Sequence, residues 1–233
     1  MKPIGIIGGI GPESTVDYYR AMIAAYRERQ PDGSYPAIVI NSVDANAMLG
    51  ALMKGELDRV TDLMVAELQR LERAGAGVAL LAANSPHIVF DEIQRRSPLP
   101  LVSIVQATAA EAGRRGVKRL ALFGTRYTME GHFYQDVFEK AGMTIVVPDE
   151  AEQAYIHDKY MTELVRGLLV PETRERLLAI AAAMKVRDGV DAVILGGTEL
   201  PLILRDPAAS GIPLLDTTVI HAKAIVELAM RMR

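Results

Sequence analysis

The 233-residue chain has no cysteine and no tryptophan, and only 5% of it is aromatic. The missing cysteine excludes disulfides, thiolate metal sites and thiol nucleophiles together. With so few aromatics, Leu, Ile, Val, Ala and Met must fill the core, and a chain that is 50% hydrophobic supplies them. No apolar run reaches the roughly 18 residues that a membrane-crossing helix needs, so no membrane partner is expected. There is no Lys/Arg-rich tail. The formal charge of -3 and pI near 5.9 leave no basic footprint for nucleic acid or an anionic surface. The opening MKPIGIIGGIGPEST is broken by glycine too soon for a secretory segment and reads as a first buried strand, which makes the cytoplasm the expected compartment. His87, His132, His157 and His221 form no His-x-His or His-x-x-x-His pair, so no metal is expected either.

What is present is alternation. Short apolar runs recur at Ile4–Ile7, Ala37–Asn41, Val78–Ala82, Leu101–Val105, Leu120–Phe123, Ile145–Val147, Val190–Leu195 and Pro213–Leu215. Between them lie segments of helical spacing such as Arg59–Ala74 and Thr173–Arg187. Continuous apolar strands separated by helices predict an α/β fold, with mostly parallel sheets covered on both faces.

The chain also repeats itself. KPIGIIGGIGPESTVDYY, from Lys2, aligns without gaps on KRLALFGTRYTMEGHFYQ, from Lys118, and pairs Gly8 with Gly124 and Tyr18 with Tyr134. GVALLAANSPHIV, from Gly77, aligns on DAVILGGTELPLI, from Asp191, and pairs Ala83 with Gly197. LPLVSIV and IPLLDTT echo each other in the same order. Three similarities at nearly constant offset imply a duplicated α/β unit. Two such halves would bring matching strand ends to one cleft, and ligands of open α/β sheets bind outside the carboxyl ends of the strands.

Four strand ends are expected to open helices with free N–H groups, a natural carboxylate or phosphate site: Gly8–Thr15, Ala83–His87, Gly124–Thr128 and Gly197–Glu199. GGIGPEST is not a nucleotide loop. No Gly-Lys-Ser/Thr follows for a P-loop, and Ser14 stands where the dinucleotide fingerprint needs its third glycine. Pro12 fits the first turn of a plain strand-turn-helix junction.

These blocks resemble the aspartate/glutamate racemase family, the cofactor-independent amino-acid racemases, over essentially the whole chain. IGIIGGIGPESTVDYY is similar to that family's first strand and loop, NSVD, FGTRYTM and LLDTTVIHA to later blocks, and ANSPH and GGTEL to its two catalytic blocks. The resemblance implies two pseudo-symmetric α/β domains with the active site in the cleft between them, no cofactor, and a homodimer. The expected boundaries are 1–100 plus 213–233 for the first domain and 101–212 for the second. It implies a mechanism in which two thiolates flank the α-carbon of a small carboxylate substrate, while Gly9, Asn84, Ser85, Thr125 and Thr198 hold that substrate. The chain departs from this pattern at both thiol positions, which are Ala83 and Gly197. It also has Asn46 and Met48 where acid-specific members tend to carry an arginine, leaving Arg166 as the basic residue aligned near the substrate.

A proton-transfer site without thiols needs other groups with pKa values near working pH. Ser85 and Thr198 ionise too high to serve unassisted. The ionisable residues near the expected strand ends are Asp44, His87, Glu199, Asp216 and His221, and of these Glu199 and His87 stand closest in sequence to the vacant positions. Each also has a plain reading: Glu199 as a helix-start acid, His87 as a packed or hydrogen-bonded imidazole, Asn84, Ser85 and Thr125 as caps. Asp44 reads as a loop-fixing acceptor, Tyr18 and Tyr127 as packing residues with a wet hydroxyl, and Met161, Met184 and Met230 as core filler. Three functions follow: a racemase of aspartate or glutamate type with non-thiol acid/base chemistry, a related decarboxylase or lyase, and a non-catalytic binder of small carboxylates. Restoring cysteine at 83 and 197 is expected to raise racemisation if the framework is a racemase pocket.

Overall fold

The computed structural model describes residues 1–204 and 211–232. Residues 205–210 and Arg233, which the expected domain ranges include, lie outside the described residues.

The chain divides into two α/β units, residues 1–104 with 221–233 and residues 105–220. The first holds β1 (Ile4–Gly8), α1 (Pro12–Arg29), β2 (Ile38–Ser42), α2 (Asn46–Met53), α3 (Leu57–Arg73), β3 (Val78–Leu81) and α4 (Phe90–Arg96). Its sheet is parallel, in the order β2-β1-β3. Alternate residues of the buried strands supply two cores. Ile7, Ala79 and Leu81 face α2, α3 and α4 through Met48, Val60, Met64, Leu68 and Ile93. Ile4, Ile6, Val78 and Leu80 face Tyr18, Met22 and Ala25 of α1 on the other side. The spacing of Val60, Met64, Leu68 and Leu71 gives α3 its single apolar face.

The second unit opens with α5 (Ile104–Arg115), which it takes in from Val105. It contains β4 (Arg119–Phe123), α6 (Arg126–Glu130), α7 (Phe133–Lys140), β5 (Thr144–Val146), α8 (Glu150–Thr162), α9 (Pro171–Asp188), β6 (Ala192–Leu195), α10 (Leu200–Ile203) and β7 (Leu214–Asp216). Its parallel sheet runs β5-β4-β6-β7. The last helix, α11 (Thr217–Arg231), starts in this unit and packs Ala222, Ile225, Val226 and Ala229 into the first unit's core.

The duplication is visible in the register. Ile4 and Ile7 of β1 sit opposite Val78 and Leu81 of β3, and their aligned counterparts Leu120 and Phe123 sit opposite Ala192 and Leu195. The expected strand Leu101–Val105 is reduced to a single bridge, Ala79 to Leu101, matching the fuller β6–β7 pair at Val193 and Leu214. Helix α5 begins at Ile104 and takes the rest of that segment.

Two sequence expectations change here. Residues 213–220 belong with the second sheet, because β7 hydrogen-bonds to β6 and the chain returns to the first unit only at His221. Met161 is 37% exposed rather than core, whereas Met184 is fully buried. Among the described residues no helix is long and apolar enough to cross a membrane.

Candidate active site

Of the four strand ends expected to open helices, only the first leads into a long one. Helix α1 has eighteen residues and no side-chain cap; around its start the Gly9 N–H donates to Thr15 Oγ1 at 2.9 Å, and the Ser14 and Thr15 hydroxyls donate to the Gly11 carbonyl at 2.8 and 3.1 Å. Gly9 has φ +81°, and a β-carbon there would lie 2.7 Å from the Val43 nitrogen and 2.8 Å from Ser42 Oγ, so only glycine fits this turn. The ends of β3, β4 and β6 lead instead into a 3-10 turn (Ser85–Val89), the five-residue α6 and the four-residue α10. Such short elements have little dipole, and any anion site here has to be made by side chains.

In the first unit, the end of β3 is held by His87. Its Nε2 accepts the Ile104 N–H at 3.2 Å, which puts the ring proton on Nδ1, near the Ala83 and Asn84 carbonyls but without a hydrogen bond of good geometry. The ring stacks on Phe90 at 5.0 Å and meets His221 edge-on at 6.0 Å. Burial, with the neighbouring His221 adding to it, pushes the His87 pKa down to about 3. At neutral pH His87 is therefore a neutral wedge between the β3 end and the start of α5, with its basic nitrogen occupied. Asn84 and Ala83 are buried beside it, and the Asn84 carbonyl accepts the His87 N–H at 2.9 Å. Asn84 flanks the 3-10 turn that Ser85 opens, but makes no side-chain cap.

His221, from α11, is also closed in. Tyr18 Oη donates to its Nδ1 at 2.9 Å, and its Nε2–H donates to the Val102 carbonyl at 2.8 Å. Tyr18 packs as the sequence implies, but its hydroxyl is buried and bonded to His221 where a wet one was expected. Asp44 and Asp216 accept backbone N–H groups of Asn46 and Val219, at 2.9 and 3.0 Å. Both are loop or cap acceptors.

The second unit holds the carboxylate. Glu199, 1% exposed, does not cap α10; no side-chain cap is made there. Its Oε2 instead accepts two hydroxyls, Thr198 Oγ1 at 3.1 Å and Tyr160 Oη. Tyr160 comes from α8, where it shares a buried face with Ile156 and Glu152. That helix is fixed by a capping box between Asp149 and Glu152 and by Arg187, which bonds both Glu152 oxygens at 3.2 and 3.0 Å. Burial, reinforced by the Glu199 charge, raises the Tyr160 phenol well above its ordinary pKa, so the proton stays on the phenol and the carboxylate accepts.

Gly197 explains this arrangement. A β-carbon at 197 would collide with the Tyr160 ring at Cε2, and lie 2.9 Å from Cζ and 3.0 Å from the hydroxyl. Tyr160 fills the space that a side chain at 197 would need. No sequence spacing joins two residues 39 apart; the one signal was a glycine where the resemblance implies a side chain, since close-packed interiors leave no such gap empty.

Thr125 is the N-cap of α6, accepting the Thr128 N–H at 3.4 Å, with its hydroxyl 3.3 Å from that of Thr128. Thr125→Ala is expected to cost about 1 kcal/mol, read as a lower urea midpoint at unchanged slope; an unaltered midpoint would assign the hydroxyl to ligand contact instead. Arg166 is exposed at the end of a 3-10 turn (Leu164–Arg166), and its guanidinium makes no ion pair among the described residues. Among the described residues no group of acidic, His or Cys side chains can hold a metal.

The chain is 36% identical to the solved structure of an aspartate racemase homologue from Pyrococcus horikoshii OT3, with a TM-score of 0.83 over 99% of this chain and 100% of the other. It is 26% identical to the broad specificity amino-acid racemase RacX of Bacillus subtilis, over 96% of both chains. The Picrophilus torridus aspartate racemase shares the fold, with a TM-score of 0.78 at 22% identity over 99% of this chain and 95% of that one. The model of the Asp/Glu/hydantoin racemase family matches residues 7–225. With its strand ends, repeat and framework in that pattern, this chain belongs to the Asp/Glu/hydantoin racemase family.

Proposed function

We propose that the protein is a racemase of small acidic amino acids that works without pyridoxal phosphate and without thiols. The observation that carries this reading is a buried carboxylate, Glu199, held by two hydroxyls at the end of β6 in a family whose members are named amino-acid racemases. Glu199 accepts and returns the α-proton. His87 was the other candidate proton carrier; its occupied Nε2 and lowered pKa favour a positioning role at the β3 end. Gly9, Asn84, Ser85, Thr125 and Thr198 form the substrate-binding framework, and Arg166 is the cation available to a second carboxylate. A homodimer in the cytoplasm completes the proposal. One acid/base group suffices for α-hydrogen exchange; racemisation further requires a proton delivered to the other face of the planar intermediate, which solvent water supplies.

The test is proton NMR of the purified protein with L- and D-aspartate and glutamate in heavy water, followed by chiral chromatography. Loss of the α-proton signal and appearance of both enantiomers is the expected result. Consumption of substrate would assign elimination or decarboxylation. Thermal stabilisation by the amino acid with no exchange would assign a binding protein.

A further inference from the structure

Tyr160 does more than plug the gap at Gly197. Its hydroxyl stands 3.0 Å from where a β-carbon at 197 would be, at the carboxyl end of a parallel strand, and it bonds the buried carboxylate of Glu199. We propose that Tyr160 and Glu199 act as one acid/base unit, with the phenol oxygen meeting the substrate's α-hydrogen and the carboxylate taking the relayed proton. This rests on the racemase reading and names the group that replaces a side chain at 197.

The step balances. The substrate's Cα–H bond breaks, and its proton forms an O–H bond on the phenol oxygen while the phenol's own proton passes to Glu199 Oε2. The electron pair remains on the substrate as an enolate-like carbanion. Reversal returns a proton to carbon and restores the neutral phenol and the carboxylate. The relay avoids a phenolate beside a carboxylate, which their shared burial would make costly. Thr198 Oγ1 is the second donor to Oε2 and fixes that oxygen's position.

The experiment is α-hydrogen exchange in heavy water with wild type, Tyr160→Phe, Glu199→Gln and the double variant, alongside thermal unfolding. Tyr160→Phe keeps the ring that fills the gap and removes only the hydroxyl. The expected result is a fall in kcat of at least about 100-fold for either single variant, with KM changed only a few-fold. The double variant is expected to be no slower than the slower single one, as for groups acting in one step. Glu199→Gln, nearly isosteric, keeps the test decisive if Tyr160→Phe folds poorly. Exchange by Tyr160→Phe at the wild-type rate overturns the relay and leaves the racemase reading standing. A wild type that exchanges none of these amino acids overturns both.

Discussion

Gly197→Cys alone is expected to destabilise the protein by about 2–3 kcal/mol, the range for forcing atoms into a packed interior. A β-carbon at 197 meets two ring atoms and the hydroxyl of Tyr160, and Tyr160 cannot retreat freely because its hydroxyl is bonded to Glu199 and its helix is pinned through Glu152 and Arg187. Tyr160→Ala alone is expected to cost about 3–5 kcal/mol, through the cavity it leaves, with a further loss from removing a donor to a buried carboxylate. The double variant should cost well under the sum, because the thiol occupies the space the ring vacates. A coupling of about 2 kcal/mol between positions 160 and 197 is the signature, read from urea midpoints of the four proteins. Strict additivity would show that the two sites do not compete for one volume. The same steric argument corrects the simple plan of restoring both thiols: with Tyr160 in place, a cysteine at 197 has nowhere to go.

The fold was legible because its signals are local and repeated. Uninterrupted apolar runs such as Leu120–Phe123 could only be strands covered on both faces, and the alignment of Lys2 onward with Lys118 onward fixed a register that β1–β3 and β4–β6 reproduce residue for residue. The weakest prediction of a strand fell at Leu101–Val105, where Pro100 and the competing helix starting at Ile104 leave one bridge. The site was half legible. Glu199 could be singled out because it adjoins a vacated glycine, but its partner could not. Tyr160 reads as one more aromatic on an amphipathic helix until the chain folds and brings α8 against the end of β6. His87 is a different case: the sequence shows an ionisable ring near a strand end, whereas a role in proton transfer depends on whether its nitrogens are free, and a backbone amide 17 residues away occupies one of them.

Acid should unfold the protein earlier than its carboxylates require, because of two buried histidines in the first unit. Burial lowers His221 to about 4 and, with help from His221, lowers His87 to about 3, against about 6.5 in an unfolded chain. Between those values the unfolded state binds more protons than the folded one, so stability rises with pH and is lost as pH falls below about 6.5. The contribution is complete above the unfolded value and gone below the folded ones. Each histidine that stays neutral in the fold adds about 1.4 kcal/mol per pH unit across this window, so the two together give a slope of about 2–3 kcal/mol per unit near pH 5.5. The groups around them modulate the effect. The Ile104 N–H needs an unprotonated Nε2 on His87, whereas the Val102 carbonyl, accepting from His221 Nε2–H, works against the effect of burial and leaves burial dominant. Urea unfolding from pH 7.5 to 5, a range in which most carboxylates stay ionised, reads this term together with a smaller one from the part-buried His157, and a histidine variant separates them. His221→Gln should lower stability at pH 7.5, since it disturbs two buried hydrogen bonds, yet flatten the slope by about half. A variant with the wild-type slope would mean that His221 is charged in the folded protein, with Tyr18 Oη accepting from Nδ1–H instead of donating to Nδ1.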